Sequence, residues 1–325
     1  MNEIHHDLES HLRRSLGEPA LAVSSLEPFG NGHSGFTYIA AIDPPGGLWV
    51  LRTSPPGVRI AGPTDVGRQG RIMRALSSAG RPAPAVLACS SEPAIGGRSF
   101  ALTEFVEGTT WEPVADSYSA RHVAEHVVEA LVSLRSLSAS EAGIGDEAPA
   151  SLADELNRWD ALLERAPEIL HEPGRQLVRR LRARIPPPAV PSLVHGDFHY
   201  GNILFANGEV AAIIDWEIAT LGDSRLDLGC LGVASLRRKY APEPNPAGSV
   251  AVTYQELVSF YGGDEGGMEW FLAEACLKYG AILGYNLNLH RSGRRPDAVY
   301  EELLGTMRGL LDDGNDALDG RLDFA

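Results

Sequence analysis

The chain has 325 residues, 44% hydrophobic and 22% charged, which excludes disordered and fibrous classes and suffices for one large or two moderate domains. A formal net charge of −15, from 43 acidic against 28 basic residues, sets nucleic acid and anionic membrane against net repulsion, so neither partner is expected. Cys89, Cys230 and Cys276 are far apart and form no C-x-x-C pair, the polar, acidic start is unlike a secretion signal, and no apolar run reaches transmembrane length, so a reducing cytoplasm is the expected location.

Between Leu26 and about Val106 short apolar runs alternate with turn clusters. Residues 36–42 and 48–51, joined by Pro44-Pro45-Gly46-Gly47, read as an antiparallel hairpin. Val66, Ile72, Met73 and Leu76 then fall at helical spacing, and strands are predicted around 85–88 and 100–105. The expectation is a small sheet carrying one helix. From Ser119 onward helical spacing dominates, over 120–137, 151–163, 175–185, 227–239, 254–261, 268–289 and 296–311. A β-rich island at 192–194, 203–205 and 210–214 interrupts it, and the acidic tail after Leu311 is expected to fray. Two parts follow, residues 1–106 and 107–325. Lysine occurs only at Lys239 and Lys278, so 26 of the 28 basic residues are arginine and the first 238 positions hold no lysine. Codon bias in a GC-rich genome accounts for that, but it still limits which cation the first part can supply.

The island carries the chemistry. His195-Gly196-Asp197-Phe198-His199-Tyr200-Gly201-Asn202 followed by Ile213-Ile214-Asp215-Trp216-Glu217 places two carboxylates and a carboxamide on loops beside short strands. Each alone reads as a turn former or a strand end. Together they match what phosphoryl transfer requires, one carboxylate to orient the attacking hydroxyl and an Asn and an Asp to hold magnesium on the phosphates.

With these residues the sequence resembles the aminoglycoside phosphotransferase and choline kinase group of small-molecule phosphotransferases, nearest to the kinase-like domains associated with acyl-CoA dehydrogenases. That family's H-G-D-x-x-x-x-N and I-D-W/F-E segments stand here unaltered, and 221–229 matches its G-D-P-x-x-D-L-G with Ser224 in place of proline. The resemblance implies an α+β, bilobal, protein-kinase-like fold with an antiparallel β-sheet N-lobe and a larger helical C-lobe. It implies ATP and Mg as cofactors, Asp197 as the catalytic base, Asn202 and Asp215 as magnesium ligands, and His195 as a support of the loop. Asp227 would brace that loop from a helix start, accepting backbone N–H groups.

Further nucleotide contacts follow from the same resemblance. Gly30-Asn31-Gly32-His33-Ser34-Gly35 is a glycine-rich turn that serves equally in a plain hairpin; with the loop downstream, Gly32, Ser34 and Gly35 become the phosphate flap. Arg52 stands where the family places an ATP-binding lysine, and Gln69 where it places the helix glutamate that pairs with that cation. Arginine can fork onto two phosphate oxygens, whereas Gln69 offers only a neutral hydrogen bond. Residues 100–108 resemble the hinge, with the Glu104 carbonyl and the Val106 N–H meeting the adenine edge; a core strand and turn is the competing reading.

The expected function is transfer of the γ-phosphate of ATP to a hydroxyl of a small molecule, either a metabolite or a natural-product antibiotic of aminoglycoside-like kind, the latter being antibiotic inactivation. The alternative is a nucleotide-binding module with weak catalysis. A protein acceptor is disfavoured because only 12 positions lead from Asp215 to Asp227, too few for an activation segment that docks a peptide.

Overall fold

Alternation builds the first sheet. In Phe36–Asp43 (β2) Tyr38, Ala40 and Ile42 are buried and the residues between them are more exposed, so one face packs inward. With Ala22–Pro28 (β1), Leu48–Thr53 (β3), Val86–Ile95 (β4) and Arg98–Glu104 (β5) it forms a five-stranded antiparallel sheet in the order β1-β2-β3-β5-β4. Tyr38 pairs with Leu51 and Leu51 with Leu102, which sets Arg52 opposite Thr37 and Ala101. Helix Val66–Ser78 (α2) begins at Asp65, whose carboxylate accepts the Arg68 N–H at 2.9 Å, and buries the predicted Val66, Ile72, Met73 and Leu76. It lies directly on β4 because residue 67 is glycine: a Cβ there would sit 2.1 Å from the Ser90 carbonyl carbon.

The computed structural model describes residues 2–30, 35–110, 118–240, 250–263 and 266–322, and within them the first unit carries a second helix, Asn2–Leu16 (α1). The one-helix expectation is corrected accordingly. Ile4, Leu8 and Leu12 lie four apart on one face and join Val23, Leu26, Ile42, Leu51, Phe100 and Leu102 in a single core, while the charges between them mask the period. This unit comprises Met1–Thr109, Ser138–Asp146 and Asn202–Ala219. The last segment supplies the hairpin of Ile203–Ala206 (β7) and Glu209–Ile213 (β8), held by reciprocal backbone bonds between Thr109 and Phe205 and by the Ile213 N–H on the Pro82 carbonyl at 2.9 Å.

The second unit, Thr110–Leu137, Glu147–Gly201 and Thr220–Ala325, is mainly helical. Its helices are Ala120–Arg135 (α3), Leu152–Leu163 (α4), His171–Arg182 (α5), Arg225–Leu236 (α6), Tyr254–Tyr261 (α7), Met268–Arg291 (α8), Val299–Glu302 (α9) and Leu304–Ala317 (α10). Ser119, Ser151 and Thr253 cap α3, α4 and α7 through their hydroxyls. Helix α8 is buried on nearly every side over its first three turns, and packs against α4, α5, α6 and α10. One small antiparallel pair joins Ser192–Val194 (β6) to Thr220–Gly222 (β9). The tail does not fray after Leu311. Helix α10 continues to Ala317 because Leu310, Leu311, Gly314 and Ala317 face inward and the buried Asp313 bonds Lys239 Nζ at 2.5 Å and the Tyr240 hydroxyl. Sheet plus helices make the chain α+β. No helix among the described residues is long and apolar enough to cross a membrane.

Candidate active site

The loop after β6 is built from its backbone. Gly196 takes φ +85°, a conformation glycine adopts without strain, and turns the chain back. Asp227, buried in the first turn of α6, accepts the His195 N–H at 2.7 Å with one carboxylate oxygen and the Gly196 N–H at 2.8 Å with the other. Burial pushes its carboxyl up to about 6 against the opposing pull of those two N–H groups. His195 is fully buried, and its Nδ1 accepts the Asp197 N–H at 3.1 Å. The backbone leading into Asp197 is thus held by three N–H bonds. Ahead of Asp227, Asp223 and Arg225 form a buried ion pair at 2.7 Å, and Arg225 also donates to the Pro187 carbonyl.

The Asp197 carboxylate has its own donors. The Tyr279 hydroxyl, from α8, donates to Oδ1 at 2.7 Å, and His199 Nε2 lies 3.5 Å from Oδ2. Burial alone would raise the carboxyl, but the hydrogen bond and charge of His199, the Lys278 ammonium and the Tyr279 hydroxyl outweigh it and hold Asp197 well below the ordinary carboxylate range. Lys278 is itself buried, with Nζ 3.3 Å from Cys230 Sγ and 5.3 Å above the Trp159 ring.

One turn earlier on α8, Glu274 is 1% exposed and its Oε1 finds no hydrogen-bond partner among the described residues. Burial pushes its carboxyl up to about 8, against the opposing charge of Lys278. The folded state therefore keeps a proton that the unfolded chain releases above about 4.5, so the contribution to stability is complete below that pH and is lost as pH rises through about 8. Denaturant unfolding of the wild type is expected to show about 3 kcal/mol less stability at pH 8 than at pH 5 from this residue, and Glu274→Gln to remove most of that slope. An equal slope in the variant would assign the dependence elsewhere.

In the first unit the structure brings Asn202, Asp215 and Arg52 together. Asn202 ends the short turn before β7, and its carbonyl accepts the Ile214 N–H at 2.9 Å, which sets it beside the residue preceding Asp215. Asp215 takes φ +65°, a left-handed conformation that Asp and Asn tolerate better than most residues. Trp216 follows it, fully buried, with its indole N–H on the Ile213 carbonyl at 3.0 Å. Arg52 Nη1 donates to Asp215 Oδ1 at 2.9 Å, so the strand arginine meets the segment carboxylate. Gly35 packs on β3: a Cβ would lie 2.7 Å from the Thr53 carbonyl oxygen. Gly32 and Ser34 lie outside the described residues. Gln69 is 2% exposed and donates from Nε2 to the Pro63 carbonyl at 3.1 Å, so it buttresses the loop before α2. At the expected hinge, Glu104 uses its carboxylate and its N–H on Ala85, and the Phe105 N–H is taken by the Leu48 carbonyl. The Val106 N–H has no acceptor among the described residues, which leaves it available to a ligand edge.

Sequence reasoning missed Tyr279 and Lys278 as partners of Asp197. The scarcity of lysine makes Lys278 conspicuous in the sequence but does not tie it to Asp197.

Comparison with known proteins adds three findings. The sequence profile of the phosphotransferase enzyme family matches residues 25–260. The mouse protein acyl-CoA dehydrogenase family member 10 is 28% identical over 234 residues, 68% of this chain and 21% of its own length; the chain spans between about a fifth and a third of the curated relatives it matches. Among solved structures, a Ralstonia eutropha protein described as a candidate aminoglycoside phosphotransferase superposes with TM-score 0.75 at 20% identity, covering 97% of this chain and 98% of its own. The aminoglycoside phosphotransferase APH(4)-Ia, in a ternary complex with AMP-PNP and hygromycin B, superposes with TM-score 0.64 at 18% identity over 96% and 98%. The fold is that of the kinase-like phosphotransferases.

Proposed function

Because the chain belongs to the phosphotransferase enzyme family, we propose that it transfers the γ-phosphate of ATP to a hydroxyl of a small molecule. The observation that carries this reading is the state of Asp197: a carboxylate kept ionised by its neighbours on a loop whose backbone is tied to Asp227. A binding module has no use for a carboxylate so prepared. In phosphoryl transfer it orients the attacking hydroxyl and takes its proton late, so a weakly basic but fixed group suffices.

Asn202 and Asp215 supply an oxygen donor set, one carboxamide and one carboxylate, suited to a hard divalent cation such as magnesium. They would hold magnesium, which on binding neutralises phosphate charge. Arg52, released from Asp215, would fork onto phosphate oxygens, and the Val106 N–H would donate to the base. Arg52→Ala is expected to weaken ATP binding by about 2 kcal/mol, near thirtyfold in Kd, with the change read by calorimetry. Unchanged affinity would remove Arg52 from the nucleotide site.

The acceptor is read from chain length. Between Asp215 and Asp227, β9 already pairs with β6, so no free segment remains to dock an extended peptide. A compact, neutral or weakly charged hydroxylated metabolite is our preferred acceptor; hygromycin B in the complex of the APH(4)-Ia neighbour keeps a natural-product antibiotic in the test set. The deciding experiment incubates the protein with labelled ATP, magnesium and a panel of hydroxylated metabolites and antibiotics. Transfer to any member supports the reading; labelling of proteins alone overturns the acceptor class. A second reading, nucleotide binding with weak transfer, is favoured by Gln69, whose amide serves Pro63 so that no carboxylate of α2 orients Arg52. ATP binding without any transfer would establish it.

A further inference from the structure

We propose that Lys278 is a positioning residue for the catalytic loop, its buried ammonium serving as a counter-ion shared by the base Asp197 and the brace Asp227. The role rests on the phosphotransferase reading above and extends it to a residue outside the family's loop and metal motifs.

Two helices place the ammonium. On α8, Lys278 is 4% exposed and precedes Tyr279, whose hydroxyl meets Asp197. Its Nζ stands 3.3 Å from Cys230 Sγ on α6, and that sulfur, one turn along from Asp227, lies 3.8 Å from the Gly196 carbonyl. The ammonium therefore sits where the loop backbone, the brace and the base converge. The two helices approach closely because residue 229 is glycine: a Cβ there would fall 2.2 Å from the Phe271 carbonyl oxygen. Trp159 of α4 lies on another side, its ring 5.3 Å from Nζ.

Charge decides which neighbours use this cation. Burial alone would pull the Lys278 ammonium below the ordinary lysine range, but Cys230, Glu274, Asp197 and Asp227 outweigh it and hold the group above that range. Two of the four are neutral near pH 7, since burial pushes the Cys230 thiol up to about 12 and the Glu274 carboxyl up to about 8. Glu155 and Arg158 of α4 act on Glu274 with opposite signs. The anions of the four are Asp197 and Asp227, and the charge of the first opposes ionisation of the second. On Asp197 the ammonium acts together with His199 and Tyr279. Asp227, which burial pushes up to about 6, is the carboxylate closer to taking a proton at neutral pH. A protonated Asp227 would carry a hydrogen on one oxygen, and the His195 or the Gly196 N–H would lose its acceptor. By opposing that protonation, Lys278 keeps the loop backbone tied down ahead of the base.

The test is the pH profile of kcat with the acceptor found in the panel. In the wild type kcat is expected to fall as pH drops through about 6, where Asp227 takes up its proton. Lys278→Met keeps the length of the side chain and removes its charge. It is expected to move that acid limb up by about one to two pH units, the effect of one nearby opposite charge, which lowers kcat about twofold to tenfold at pH 7 and restores it by about pH 9. Lys278→Arg keeps the charge and should leave the limb within about half a unit of the wild type. Carboxyl-carbon NMR of isotope-labelled aspartates, with Asp227 assigned through Asp227→Asn, should show the same displacement without turnover. An unmoved limb or an unmoved Asp227 titration in the folded Lys278→Met protein, or an equal displacement in Lys278→Arg, would overturn the proposal. Lys278→Gln is the second neutral variant; if neither neutral variant folds, Lys278 serves the fold and the proposal fails as well. Absence of transfer by the wild type to every acceptor would instead overturn the phosphotransferase reading, and the role in turnover with it.

Discussion

Asp197→Asn is expected to lower phosphoryl transfer by about two to four orders of magnitude while the protein stays folded and still binds nucleotide. The substitution keeps shape and volume, and the backbone bonds that set the loop belong to His195, Gly196 and Asp227 and are untouched. What it removes is the acceptor for the hydroxyl proton. The amide can still accept from Tyr279, so folding should change little. Circular dichroism and ATP titration check the first expectation, and single-turnover assays with labelled ATP check the second. A folded variant with undiminished transfer would take the base role away from Asp197.

The second large effect belongs to Asp215. Asp215→Asn is a better probe than alanine because residue 215 sits at φ +65°, where Asn is tolerated and alanine would add strain. Loss of the carboxylate removes the ion pair with Arg52 and the anionic member of the proposed metal pair. Magnesium-dependent turnover is expected to fall by about three orders of magnitude, the several kcal/mol of charge stabilisation that a bound cation supplies. Calorimetry with MgATP should show a matching loss of affinity, whereas metal-free ATP, still able to reach Arg52, should bind about as in wild type. Equal MgATP affinity in variant and wild type would exclude Asp215 as a ligand.

How much of this was legible before folding depends on how far apart the partners lie. The hairpin of β2 and β3, the helix α2 with its Asp65 cap, and the loop and strand-end placement of Asp197, Asn202 and Asp215 are set by residues a few positions apart, where alternation, capping and turn chemistry act directly. The brace by Asp227 spans 31 and 32 positions, so the family resemblance, and not local chemistry, pointed to it. Composition alone also decided that no lysine precedes residue 239, and so that any cation on β3 must be an arginine.

What Arg52 and Asp197 touch was decided only by tertiary packing. One partner of Arg52 is 163 positions away, and one of Asp197 is 82 away on a helix so evenly apolar that no face of it announces a functional residue. Gln69 was assigned by its position on α2, but the course of the chain before that helix brought the Pro63 carbonyl within reach of its amide instead. Helix α1 and the end of α10 hid their apolar faces under charged composition, and each became visible only where a complementary surface took up Leu8 and Leu12, or Leu311 and Ala317. Local chemistry chooses the backbone path and the reactive groups; long-range packing chooses their neighbours, because a side chain's environment is contributed mostly by residues that the sequence does not place beside it.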